Sequence, residues 1–425
     1  MRYQTVSEWL SWQENLHPKH IELGLDRVFE VKQALGLSQL NFPIVTIAGT
    51  NGKGSCVALL QAILLSAGYR VGSYTSPHLL RYNERICING HDIDDEELCR
   101  AFDVVDRARG NISLTYFEFG TLAAMVAFER ANLNIVILEV GLGGRLDAAN
   151  AFEPDISLIT SIDIDHTDWL GATRDAIARE KAGILRVGKP FVCGDKSPPQ
   201  ALLENARQLG CQQYYYGKDF HYIHASRHWS WFGPAHSYAK LPFPHLVGEV
   251  QLQNASSILM VLSLLKERLM VSIDAIKKGL STVALMGRFQ VITHKVMHIF
   301  DVAHNPQSAR NLAQNLVQQQ FSGKTHALFS MLGDKDISGV ITAVAPLIDS
   351  WHIARLNCAR AAPLEQLVSA LQSVDSSAKT VSYSSLQDAY KHILEYCDHN
   401  DRIVIFGSFH TVAEILARLD SKAIA

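Results

Sequence analysis

Residues 44–67 read IVTIAGTNGKGSCVALLQAILLSA, and this stretch decides the fold. Five apolar or β-branched residues at 44–48 form a buried strand. A glycine-rich turn at 49–54 follows, and residues 54–67 carry apolar side chains on most faces, as a buried helix does. Gly68 suits the C-terminal cap of that helix. A strand feeding such a turn and then a helix presents backbone N–H groups and a helix N-terminus to an anion, with Lys53 in reach of terminal phosphates. The strict pattern G-x-x-x-x-G-K-[ST] is not met, because Ile47 stands at its first glycine and Gly54 separates Lys53 from Ser55. A glycine turn that merely caps a helix is the alternative.

Outward from this stretch, short Val/Ile-rich runs alternate with helical patterns, the signature of parallel α/β construction. Strands are expected at 44–48, 71–74, 135–139, 156–161 and 190–193. Residues 214–246 are aromatic and alternating, which predicts a small antiparallel excursion, followed by helices near 254–270 and 272–283. A second α/β run has strands expected at 297–302, 327–330, 351–355, 380–383 and 402–406, with helices at 306–320, 337–348, 363–372, 385–396 and 410–419. The parse is two domains, 1–287 and 288–425.

Composition narrows the class. The chain has 425 residues, 48% hydrophobic and 19% charged, with a net charge of −3. That is globular composition with no basic field for nucleic acid or an anionic membrane. Seven scattered cysteines form no C-x-x-C pair, which excludes a zinc ribbon and fits a reducing compartment. No apolar stretch is long enough to span a bilayer and no secretory signal is visible, so a cytoplasmic protein is expected. His224 and His228 have i,i+4 spacing but no adjacent glutamate, and their aromatic surroundings argue for strands; they read as surface histidines.

A nucleotide site of this kind needs magnesium on hard oxygen ligands at strand ends. Glu139 closes an apolar strand, where a carboxylate is costly unless it is paired, for example with Arg145, or coordinates a cation. Asp163, Asp165, His166 and Asp168 crowd the end of the next strand. His166 is a candidate for metal or phosphate, and some of the aspartates are candidate helix caps. The loop Thr75-Ser76-Pro77-His78 offers hydroxyls. In the second run, Asp301-Val-Ala-His304-Asn305-Pro306 opens a helix at a strand end, and Arg288 at the junction suits phosphate.

Ten motifs in order resemble the folylpolyglutamate synthase/dihydrofolate synthase family, a branch of the Mur-ligase-like ATP-dependent amide ligases, and most of all its bifunctional bacterial members. They are GTNGKGS at 49–55, YTSPHLLRYNERI at 74–86, SLTYFEFGTL at 113–122, LEVGLGGRLDAAN at 138–150, TSIDIDHTDWLG at 160–171 and REKAGI at 179–184, then GRFQ at 287–290, FDVAHNP at 300–306, MLGDKDISG at 331–339 and FGSFHTVAE at 406–414. With ENLHPKHIELGLDRV at 14–28, the match covers nearly the whole chain.

The resemblance implies a P-loop-containing Mur-ligase-like ATPase domain with a parallel-rich sheet, plus a smaller C-terminal Rossmann-like α/β domain. It implies ATP held by Thr50, Asn51, Gly52, Lys53, Gly54, Ser55, Asn254, Arg288, Asp301 and His304. Mg2+ would sit on Ser76, Glu139, His166 and Lys181, the last as a carbamate, since an ammonium repels a cation. Lys53, Lys181 and His304 are the implied catalytic residues. The pterin or folate would lie on Glu22, Leu23 and Gly24, on Thr115, Tyr116, Phe117 and Glu118, and on Leu146, Asp147 and Ala148. The first and last of these groups are those that imply dihydropteroate as a substrate beside reduced folates, with L-glutamate as the second substrate and no nucleic-acid or membrane partner. A monomer is the family expectation. Met286 stands where the family has proline, and Ala149 where threonine is common. The implied reaction makes dihydrofolate and then adds γ-linked glutamates through an acyl phosphate; a monofunctional folylpolyglutamate synthase is the alternative. A peptidoglycan ligase is disfavoured because only about 45 residues precede the phosphate loop, fewer than a separate domain needs. A nucleotide-hydrolysing switch would leave the Lys181 and pterin motifs without a purpose.

Overall fold

The computed structural model describes residues 1–19, 21–293 and 295–419; His20, inside the opening motif, and His294, at the junction, lie outside them. The chain divides into two compact units, Met1–His245 with Gln251–Val283, and Leu246–Val250 with Ala284–Ala425. The division falls four residues before the expected 287/288 boundary and carries a short segment across.

The first unit is built on an eight-stranded sheet of order β4-β3-β2-β5-β1-β6-β7-β8. Its strands are β1 Ile44–Ala48, β2 Val71–Tyr74, β3 Ile86–Ile88, β4 His91–Asp92, β5 Ile135–Glu139, β6 Ile156–Ile159, β7 Pro190–Cys193 and β8 Gln212–Tyr215. From β2 to β8 every pairing is parallel, and β3 and β4 add an antiparallel edge. β1 and β5 are buried at every residue, as strands covered by helices on both faces must be. One core cluster gathers Trp9, Phe102, Phe119 and Phe128; another gathers Ile159, Ile177, Phe191 and Leu202.

The excursion at 214–246 begins later than the aromatic pattern implies. Tyr214 and Tyr215 belong to β8, parallel to β7, with the Tyr215 ring edge-on to Phe191 at 6.1 Å between centroids. Only β9 His221–His224, β10 Trp229–Phe232 and β11 Ser237–Leu241 form the antiparallel sheet. His224 ends β9 and His228 lies in the turn that leads to β10, where Ala225 N–H donates to the His228 carbonyl.

The second unit carries a six-stranded sheet of order β12-β13-β17-β14-β15-β16. Its strands are β12 Gln290–Thr293, β13 Met297–Asp301, β14 Thr325–Phe329, β15 Ser350–Ala354, β16 Thr380–Tyr383 and β17 Arg402–Phe406. All pairings are parallel except β12 with β13, an antiparallel edge that the sequence reading omits. No helix among the described residues is long and apolar enough to cross a membrane.

Candidate active site

The helix after the glycine turn runs Lys53–Ser66. It ends as a Schellman motif: Gly68 N–H donates to Leu65 O and Tyr69 N–H to Leu64 O, with Gly68 at φ +84. At its start, Gly52 is the N-cap at φ +90, and a Cβ there would lie 2.8 Å from Asn254 Oδ1. Glycine is therefore required on two counts, and Asn254 of the helix Glu249–Leu265 sits against the turn.

The sheet order β2-β5-β1-β6 places the carboxyl ends of four parallel strands side by side, so the loops beginning at 49, 75, 140 and 160 share one edge. The first and last are laced together. Thr50 N–H donates to Ser161 O at 2.7 Å, Asp163 N–H to Thr50 Oγ1 at 3.0 Å, and Thr50 Oγ1 to Asp163 O at 3.0 Å. Asn51 N–H donates to Ser161 Oγ, and Thr160 Oγ1 to Asn51 O at 2.7 Å. A Cβ at Gly49 would overlap Thr160 Oγ1.

Two lysines close on this turn. Lys53 Nζ donates to Gly49 O at 3.0 Å and Thr50 O at 3.2 Å, and Lys181 Nζ to Gly49 O at 2.9 Å. Lys181 is 4% exposed; burial, then the neighbouring Lys53, lowers its pKa to about 7. Asp147 is pushed up to about 6 by burial, opposed by N–H bonds from the 141–149 loop and by Lys53. The arrangement thus holds an amine and a carboxyl group that both titrate near neutrality beside one glycine turn.

Glu139 is buried at the end of β5 and accepts the Ser76 N–H at 3.2 Å. Arg145, weighed as its ion partner, pairs instead with Glu180 at 2.9 Å. His166 is the N-cap of the short helix Thr167–Leu170, in the left-handed region at φ +53. The His166 side chain makes no cap hydrogen bond to that helix. Asp163 and Asp165 each accept the next residue's N–H.

Two residues absent from the sequence reading hold this loop. Asp195, just beyond β7, accepts the N–H groups of Ile162 (2.7 Å) and Ser197 (2.8 Å). Arg174 bonds both Asp195 oxygens at 3.2 Å and donates to Ile162 O at 2.8 Å. The available signal was Cys193-Gly194-Asp195 directly after a buried strand, the same grammar as the strand ends that were singled out.

The three stretches expected to hold the pterin lie in the first unit. Glu22 receives His17 Nε2 at 2.6 Å, Lys19 at 2.8 Å and Arg27 at 3.0 Å. The bonds from Lys19 and His17 hold its pKa down at about 2. Arg27 reaches on to Glu118 at 2.8 Å, and Glu118 with Thr115 forms the capping box of the helix Tyr116–Arg130. The Phe117 ring lies where a Cβ on Gly141 would be, 2.6 Å from that position, which brings the helix start against the loop that carries Leu146, Asp147 and Ala148. Leu23, Gly24 and Leu146 are half-buried, and Ala148 is buried in a 3-10 turn.

In the second unit, Asp301 ends β13 and accepts N–H groups from Phe289 (3.0 Å) and Ala303 (2.8 Å); burial raises its pKa to about 6 against the pull of Arg288. His304 Nδ1 lies 2.8 Å from Val302 O, which assigns the ring proton to Nδ1 and leaves Nε2 as the basic nitrogen. The Arg288 guanidinium lies 5.2 Å over the Phe409 ring, whose centroid is 6.1 Å from that of His304.

The glycine turn and most of the second α/β unit fall within two Mur ligase family models, which give the class of the chain. The Mur ligase middle domain matches residues 47–261, and the Mur ligase glutamate ligase domain matches 287–409. The chain is 40% identical over 418 residues to the dihydrofolate synthase/folylpolyglutamate synthase of Escherichia coli, covering 98% of this chain and 96% of that one. The solved structure of E. coli FolC in complex with DHPP and ADP superposes with a TM-score of 0.92 at 40% identity, covering 99% and 98% of the two chains. A bifunctional folylpolyglutamate synthase/dihydrofolate synthase with Mn, AMPPNP and L-glutamate bound gives 0.90 at 43%, covering 97% and 98%. The chain belongs to the dihydrofolate synthase/folylpolyglutamate synthase family.

Proposed function

We propose that this chain is an ATP-dependent amide ligase that joins L-glutamate to dihydropteroate and adds γ-linked glutamates to reduced folates. The observation that carries the reading is the glycine turn laced to the 160–163 loop with Lys53 and the buried Lys181 on it, in the same unit as the Glu22–Arg27–Glu118 bridge. The relatives with ADP or AMPPNP, Mn and L-glutamate bound support the same substrate set.

In the proposed reaction the substrate carboxylate attacks the γ-phosphorus of ATP, ADP leaves, and an acyl phosphate forms. The glutamate amine then attacks the acyl carbon, phosphate departs, and one proton is released. Residues 50–55 hold the phosphates with backbone N–H groups while Lys53 offsets charge on the transferred group. Asn254 contacts the adenine, and Arg288, Asp301 and His304 supply further nucleotide contacts. His304 Nε2 takes the proton of the incoming ammonium, or contacts phosphate.

Ser76, Glu139 and His166 are a hydroxyl, a buried carboxylate and an imidazole, a set that fits a hard divalent ion such as Mg2+. The ammonium of Lys181 does not fit beside such an ion, but a carbamate on it does, and an amine lowered to about 7 has the neutral form that reacts with CO2. The ion would supply charge neutralisation at the phosphates. The seven free cysteines accord with a cytoplasmic enzyme, and we take it to act as a monomer.

The test is ADP release with each acceptor. Glutamate-dependent release is expected with dihydropteroate and with tetrahydrofolate. Release with tetrahydrofolate alone leaves a monofunctional folylpolyglutamate synthase, and release that ignores glutamate overturns the ligase reading.

A further inference from the structure

The second unit buries an unusual set of polar side chains at the amino end of its sheet. His326 on β14 is 3% exposed, His352 on β15 is 1% exposed, and Asp401 stands just before β17 at 5%. Cys397 follows the helix Leu386–Tyr396 and is half-buried. None of these positions belongs to the nucleotide or pterin assignments. Parallel pairing puts Asp301 level with Phe406 and Met297 level with Arg402, so Asp401 lies at the opposite end of the sheet from Asp301. Five residues of strand separate the two ends, roughly 13–17 Å.

Here a ring nitrogen of His326, the thiol sulfur of Cys397 and a carboxylate oxygen of Asp401 all lie within 4.8 Å of one another. We propose that these three side chains form a binding site for a thiophilic divalent cation of the zinc class, distinct from the metal of the phosphate loop.

The supporting groups are arranged as a ligand set requires. His326 Nε2 faces Asp401 Oδ2 at 3.1 Å, while Nδ1 meets Ser350 Oγ at 2.7 Å. The second nitrogen of a ligating histidine is ordinarily fixed by such a hydrogen bond, which sets tautomer and ring orientation. Asp401 is held by N–H bonds from Lys324 (2.8 Å) and Asp398 (3.0 Å). Ser350 and the Tyr396 hydroxyl also bond His352 Nε2 (3.0 and 2.5 Å), so His352 is committed to orienting the set rather than to ligation.

Metal–ligand bonds of about 2.0–2.3 Å place tetrahedral ligand atoms roughly 3.3–3.8 Å apart. Closing the site therefore asks for a movement on the order of 1 Å, which the half-buried Cys397 side chain can make by rotating. Solvent on that side supplies a fourth, water ligand. Thiolate with imidazole selects zinc over magnesium, which takes oxygen ligands. Burial and the nearby Asp401 and Asp398 push the Cys397 thiol up to about 12, so the sulfur keeps its proton until a cation displaces it. Binding breaks the S–H bond, forms the S–metal bond and releases one proton, so affinity rises with pH.

The experiment uses the full chain, loaded with zinc chloride in excess Mg2+ and desalted, with retained zinc measured by plasma mass spectrometry. One zinc per chain is expected, falling at least tenfold in Cys397→Ser and in His326→Gln. Cobalt should give a near-ultraviolet thiolate charge-transfer band that Cys397→Ser abolishes, and zinc should raise the unfolding midpoint of the wild type but not of that variant. Ligation by Cys397→Ser at the wild-type rate verifies its fold. Wild-type protein that retains no zinc, or equal retention and an unchanged cobalt spectrum in Cys397→Ser, overturns the site.

Discussion

Lys181 shows how one residue type acquires a role that its position in the chain does not reveal. The motif REKAGI marks it, but nothing in those letters says that its Nζ is buried and bonded to Gly49 O. The sign of the consequence follows from linkage. In the unfolded chain the amine titrates near 10.4, and in the folded chain at about 7. Between these values the unfolded state binds more protons, so stability contributed by this group rises with pH from about 7 to about 10.5 and is flat below 7. In CO2-free buffer the unfolding free energy of the wild type should gain on that of Lys181→Met across this window, as read by denaturant titration. A constant difference means an ordinary lysine. Lys181→Ala should lower ligation roughly 10²–10³-fold, the scale of losing one preorganised charge contact, with partial rescue by formate. Full activity without an added carboxylate refutes the carbamate.

Among elements, the most legible are those whose environment is uniform. β1, β5 and β17 are buried at every residue, and their Val/Ile-rich runs announce them. Edges were legible only in part: β16, an edge strand, lies at the expected 380–383, whereas β8 and β12 were not read as strands of these sheets. β8 is half-exposed and runs into the aromatic stretch at 214–246, so it reads as part of the antiparallel excursion until its partner is known, and β12 looks like linker because only β13 pairs with it. Supporting residues were equally hidden: Asp195 and Arg174 come from separate elements and matter because they grip Ile162 from both sides. Asp195→Asn removes the charge and one acceptor, which loosens the loop that carries His166. A 10–100-fold loss of Mn2+ affinity, measured by electron paramagnetic resonance, is expected with the unfolding transition still cooperative. Unchanged affinity means that Asp195 holds only the fold.

At the scale of the whole molecule, a net charge of −3 conceals how the cations are used. The sequence places Lys53, Arg81, Arg85, Arg145, Arg288 and His304 in motif loops, as though one cationic site used them all. In the structure Arg81 pairs with Asp95 and Arg145 with Glu180, while Lys53 bonds carbonyls of the glycine turn. Two of the three stretches proposed for the pterin are joined by Arg27, a residue that the motif at 14–28 contains but whose partners only the fold supplies. This division separates the two proposed activities. Both need the glycine turn, whereas Glu22, at one end of the bridge, belongs to a stretch that implies dihydropteroate binding. Arg27→Ala leaves Glu22 and the buried Glu118 without their shared cation. Dihydropteroate-dependent ADP release should then fall at least tenfold, chiefly through KM, with tetrahydrofolate-dependent release within about twofold of the wild type. Asp195→Asn should depress both rates in the same proportion. Equal losses in Arg27→Ala mean that one acceptor site serves both reactions, and the 22–24 stretch then loses its separate role.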